Sequence, residues 1–83
     1  MRYVKDIPHN QFKIGLYHWN NKYIIKIETG SFEQTYKIDE YEVSGVEEID
    51  KVIDENFMQA VSLQFHQMHQ SLQATLLRNE IIF

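Results

Sequence analysis

The chain has 83 residues, no cysteine, and 12 acids against 8 lysines and arginines for a net charge of −4. That fits one small domain, residues 1–83, and excludes a disulfide scaffold. No run of ~18 apolar residues offers a membrane span, and residues 1–6 lack the apolar stretch of a secretory signal, so a cytoplasmic protein is expected.

Charge is unevenly spread. Residues 1–38 hold six Lys/Arg against three Asp/Glu, residues 39–55 hold one against eight, and residues 56–83 hold only Arg78 and Glu80. A mildly basic front, an acidic middle and a nearly uncharged back follow one another with no repeat and no linker.

Residues 2–7, ahead of the single proline Pro8, could add a short edge strand, but their pattern does not decide it. From 12 to 38 the period is two. Phe12, Ile14, Leu16 and His18 alternate with Lys13, Gly15, Tyr17 and Trp19. Asn20-Asn21 then supplies two residues that tolerate positive φ, as a two-residue hairpin turn requires. A tight turn there sets Trp19 opposite Lys22, Tyr17 opposite Ile24 and Lys13 opposite Glu28, and on the other face Leu16 opposite Ile25. Gly30-Ser31 suits a second two-residue turn with glycine first, placing Ile27 opposite Gln34, Ile25 opposite Tyr36 and Tyr23 opposite Ile38. The two turns agree on which face is apolar, and a one-residue slip would invert it.

Ser44-Gly45-Val46-Glu47 reads as a capping box with Ser44 as N-cap and Glu47 reaching back. Val46, Ile49 and Val52 or Ile53 share one face of the short helix it opens. Asp54 and Glu55 either start a new helix or continue the first. Next comes a stripe of Phe57, Val61, Phe65, Met68, Leu72 and Leu76 at spacings of 4, 4, 3, 4 and 4, an amphipathic helix stopping near Asn79. Residues 56–77 contain no Asp, Glu, Lys or Arg. About 24 helical residues span ~36 Å, whereas a seven-residue strand spans ~23 Å, so the helix must overhang its sheet. The expected fold is therefore α+β: an antiparallel three-stranded meander followed by a short and a long α-helix packed on one sheet face.

Candidate chemistry is sparse. The outer sheet face gathers Lys13, Tyr17, Trp19, Lys22, Ile24, Lys26 and Lys37, aromatic and cationic groups that could stack bases and neutralise phosphates. Overall acidity and the lack of an arginine stripe speak against nucleic acid, and lysine stems covering aromatics on an ordinary surface give the same pattern. A β-β-β-α order is shared with single-strand-binding modules, a likeness of fold alone. His66 and His69 sit at i, i+3 on the long helix, where two imidazoles could share a metal, yet no third ligand occurs at helical spacing. They read as polar or interface residues, and no cofactor or metal is expected. The acidic run lacks the spacing of a calcium loop. A pairing of His18 with Asp39 or Glu40 is open. No cysteine nucleophile, glycine-rich phosphate loop or G-x-S-x-G turn is present, so a non-enzyme is expected.

The segments Ile7-Pro8-His9, Trp19-Asn20-Asn21-Lys22-Tyr23-Ile24-Ile25-Lys26 and Phe32-Glu33-Gln34-Thr35-Tyr36-Lys37-Ile38 resemble a group of small bacterial proteins without assigned function. The resemblance covers most of the chain. It implies a bacterial, cytoplasmic protein and carries no activity. The expectation is a non-catalytic interaction or regulatory module that forms a homodimer through its uncharged C-terminal helix. Its contact residues would be Met68, Leu72 and Leu76, with Ile82 and Phe83 of the Ile81-Ile82-Phe83 tail closing one edge. The alternative is single-stranded nucleic-acid binding through the Tyr17/Trp19/lysine face.

Overall fold

The computed structural model describes residues 1–81. Four strands build one antiparallel sheet: β1 (Arg2–Ile7), β2 (Lys13–Trp19), β3 (Lys22–Thr29) and β4 (Phe32–Asp39), neighbours in that order. A 3-10 turn (Glu40–Glu42), a short helix α1 (Val46–Val52) and a long helix α2 (Glu55–Arg78) follow.

The three-stranded expectation is corrected by β1. It pairs with β2 through Tyr3 opposite Tyr17, Asp6 opposite Gly15 and Ile7 opposite Ile14, with a shift of register between Tyr3 and Lys5. A bulge of this kind breaks the two-residue alternation. Val4 packs on the core beside an exposed Tyr3, and Ile7 is buried three residues on. The segment therefore shows no strand period in its sequence.

The other strands follow the expected register. Asn20 (φ 55°) and Asn21 (φ 61°) both adopt the left-handed conformation of a type I′ turn. Gly30 (φ 53°) opens the second turn. Leu16 lies opposite Ile25, Ile25 opposite Tyr36 and Ile27 opposite Gln34. The sheet thereby collects Ile14, Leu16, Ile25 and Ile27, all fully buried, on one face.

Two helices cover that face. The capping box expected at Ser44 and Glu47 does not form. Gly45 is the N-cap of α1 and no side chain caps it. Ser44 stands one residue outside the cap, and its hydroxyl donates to Glu48 Oε2 at 2.6 Å instead. α1 buries Ile49 and is tied to β1 by Lys5 Nζ–Asp50 Oδ2 at 2.9 Å. α2 is a separate helix. Asp54 Oδ1 accepts the Phe57 N–H at 2.8 Å, which caps its first turn, and Asn79 ends it.

α2 runs antiparallel to β4. Phe57 meets the Tyr36 ring at 5.1 Å between centroids, Val61 is fully buried, Phe65 meets Phe12 at 5.4 Å, and His69 lies edge-on to Phe32 at 6.2 Å. Gln34 is the one buried polar residue among those described. Its Nε2 donates to the Val61 carbonyl at 3.0 Å, and its Oε1 accepts the Tyr36 hydroxyl. Beyond Phe32 the sheet ends and the helix continues, which gives the molecule a long axis of 48 Å against 27 and 19 Å across.

Candidate functional site

The overhanging half of α2 is the surface least explained by the chain's own packing. The stripe that buries Met58, Val61 and Phe65 continues at the same helical phase through Met68, Leu72 and Leu76. Met68 is half-buried at the sheet margin, Leu72 is 44% exposed, and Leu76 is partly exposed with no sheet beneath it. Where the helix leaves the sheet, Ser31, Phe32, His69, Leu72 and Gln73 line a shallow cleft of about 330 Å³. Phe32, at the turn end of β4, forms its floor with His69 and was absent from the sequence-based set. A register count from Gly30 would have placed it at the end of the sheet, where the helix emerges. Of the expected contact residues, Met68, Leu72 and Leu76 form one continuous stripe, while Ile82 and Phe83 lie outside the described residues.

His66 and His69 are separated by their neighbours. His69 turns to the Phe32 ring, whereas His66 stands exposed on the adjoining flank. Among the described residues no group of three or more His, Cys, Asp or Glu is placed to hold a metal ion.

The lysine and aromatic residues do share the outer sheet face. Tyr17 lies across Gly15, so closely that a Cβ there would sit 3.1 Å from Tyr17 Cε2. Tyr3 packs edge-on against the same ring at 5.7 Å, and Lys26 Nζ stands 5.3 Å over it. Ile24 is only 3% exposed beneath this cover, while Trp19, at 57%, and Tyr3, at 55%, are the open aromatics. Lys13, Lys22, Lys26 and Lys37 are matched on that face by Asp6, Glu28, Glu33 and Asp39. Lys22 Nζ donates to Asp39 Oδ1 at 2.6 Å, and this bond, with the charge behind it, raises the Lys22 ammonium above its usual pKa. The face is a mosaic of both signs.

His18 takes Glu40 as its partner. Its Nε2 lies 2.7 Å from Glu40 Oε2, and Tyr23 packs edge-on against the imidazole at 5.2 Å. Asp39 points to the opposite face and is occupied by Lys22. The pair closes the end of the sheet beside the 3-10 turn, and Glu40 N–H extends the β3–β4 ladder by donating to the Asn21 carbonyl at 3.0 Å.

Compared with known proteins, the chain matches no protein-family model, no curated protein and no solved structure. Among the described residues no helix is long and apolar enough to cross a membrane.

Proposed function

We propose that this protein is a non-enzymatic interaction module that self-associates through the overhanging half of α2, in keeping with a role in the cytoplasm of a bacterium. One observation carries the reading: the Met68/Leu72/Leu76 stripe prolongs the core-facing side of α2 past the end of the sheet, where no strand among the described residues lies over it. A second copy is the occupant that its composition favours. Close to a two-fold axis each residue meets its own copy, so a charge there is brought near its own kind. Residues 56–77 carry none, and charge depletion is the mark of a contact centre. Glutamines at 64, 67, 70 and 73 can bridge such a contact by hydrogen bonds without the desolvation cost of an ion.

The outer face has weaker support as a nucleic-acid surface. Its lysines are balanced by as many acids, and the Tyr17 ring is already covered by Tyr3 and Lys26. The non-catalytic part of the reading rests on the lack of nucleophile and phosphate-loop motifs in the sequence. Sedimentation equilibrium tests the whole. Wild type should exceed the monomer mass, and Leu72→Glu should lower the assembly mass at least twofold while circular dichroism stays native. A mass unchanged by Leu72→Glu refutes the α2 contact.

A further inference from the structure

We propose that the free edge of β4 is a second, independent self-association surface, on which β4 pairs antiparallel with β4 of another copy about a two-fold axis through Thr35. The two edges of this sheet differ. β1 is broken by its bulge and followed by Pro8, devices that blunt an edge against pairing. β4 has eight residues, no proline and an unbroken register with β3 from Phe32 to Asp39. It is long, regular and open.

Its backbone parity is set by the turn. A two-residue loop makes the flanking pair, Thr29 and Phe32, a hydrogen-bonded one. Phe32, Gln34, Tyr36 and Ile38 therefore spend their N–H and C=O groups on β3, in line with the bond from Glu40 N–H to the Asn21 carbonyl two residues further on. Glu33, Thr35 and Lys37 turn theirs outward. Among the described residues, no backbone or side-chain bond satisfies those outward groups.

The side chains then select one register. With the axis at Thr35, Thr35 meets its own copy and Glu33 faces Lys37 of the other strand, twice by symmetry. On the inner face Phe32 meets Ile38 and Gln34 meets Tyr36. Moving the axis to Tyr36 would set Glu33 against Asp39, a like-charge pair, and moving it to Gln34 would leave Glu33 opposite Thr35. Of these three registers only the Thr35 one brings opposite charges together, and it overlaps almost the whole strand, whereas an axis at Ile38, which sets Lys37 against Asp39, overlaps only its end. Neither charge meets an opposite charge within the described residues: Glu33 lies across from Glu28 and accepts only the Thr35 hydroxyl at 3.0 Å, and neither Glu33 nor Lys37 joins an ion pair there. The flank of α2 on the β4 side, marked by Gln64 lying 3.1 Å from the Tyr36 hydroxyl, carries Ala60, Gln64, Gln67 and Ser71 at helical spacing. It is uncharged, so a second α2 running antiparallel beside it meets no repulsion.

The surface does not depend on the α2 stripe, so the test is made with that contact removed. In a Leu72→Glu background the protein should remain a dimer. Adding either Glu33→Lys or Lys37→Glu turns both cross-strand pairs repulsive and should weaken the dimer about tenfold or more. Mixing those two variants should restore association as a heterodimer, and Glu33→Lys with Lys37→Glu in one chain should restore the homodimer. All three positions are exposed, so the fold tolerates the changes. In the same background Thr35→Cys, the only thiol in the chain, should form a disulfide-linked dimer on oxidation, because a hydrogen-bonded pair holds its Cα atoms ~5.5 Å apart. A folded Leu72→Glu protein that sediments as a monomer at high concentration overturns the strand pairing and leaves the α2 contact standing. A dimer indifferent to both charge reversals overturns it as well.

Discussion

Phe65 and Leu72 occupy the same stripe of the same helix, seven residues apart, and truncating each to alanine should give opposite kinds of loss. Phe65 is 6% exposed and packs on Phe12 between the sheet and α2. Deleting such a ring leaves a cavity and costs ~3–5 kcal/mol. At ~0.05–0.15 kcal/mol per residue, a chain of this length has only ~4–12 kcal/mol of stability, so Phe65→Ala should sit near the edge of unfolding at every protein concentration. Leu72 is 44% exposed in the single chain. Full burial of a leucine is worth ~1.5–3 kcal/mol, so truncation should cost the isolated chain about 1 kcal/mol or less. Its main loss should appear only where copies meet. Urea denaturation over about a hundredfold range of protein concentration separates the two, because association stabilises by mass action. The wild-type midpoint should rise with concentration, Leu72→Ala should flatten that rise, and Phe65→Ala should lower the midpoint throughout. Equal losses for the two variants at the lowest concentration would show that Leu72 is held by its own chain, and the overhang reading would fall.

Other parts of the fold make separate predictions. Gln34→Ala removes the donor to the Val61 carbonyl and the acceptor for the Tyr36 hydroxyl and should cost ~1–3 kcal/mol by thermal unfolding. Gln34→Leu should cost clearly less than Gln34→Ala, since the Val61 carbonyl keeps its helical partner and Tyr36 can turn to Gln64. Gly30→Ala forces a Cβ onto φ 53° and should lose ~1–2 kcal/mol, whereas Gly30→Asn should lose less; equal losses would contradict the turn assignment. Asp54→Ala deletes the cap on the Phe57 N–H and should cost ~1 kcal/mol, with Asp54→Asn close to wild type in the same melts.

The elements that were legible in the sequence are those in which one local rule speaks alone. Asn20-Asn21 and Gly30 each demand positive φ, and between them they fix the register of β2, β3 and β4 and the inward face of every residue in those strands. β1 was not legible, because its bulge puts Tyr3 and Asp6 on one face with two residues between them, a spacing no strand rule anticipates. The Ser44 box failed for a related reason. The same four residues fit a cap at 44 or at 45, and Gly45 takes the position while Ser44 finds Glu48. Glu40 and Asp39 could not be told apart as partners of His18 until the ladder placed Asp39 opposite Lys22 on the outer face. The long stripe of α2 was read correctly as a pattern, yet spacing alone could not locate the residue at which the sheet runs out, since that depends on where Phe32 lies. The expected meander already left residues 32–38 at an edge, but that β1 covers the opposite side was hidden, because strand order belongs to no single residue.

The overhang also has a consequence for how firmly the helix holds together. From residue 69 to Arg78 the backbone bonds of α2 are supported on one side only by its supported N-terminal half, and an isolated helix shorter than ~12–15 residues is marginal in water. Amide hydrogens there should exchange by fraying, far faster than those around Val61, whose opening requires the sheet to part. Capture by a second copy would then complete the helix as well as cover it, so the slowing of exchange from Leu72 onward reports association bond by bond along the chain.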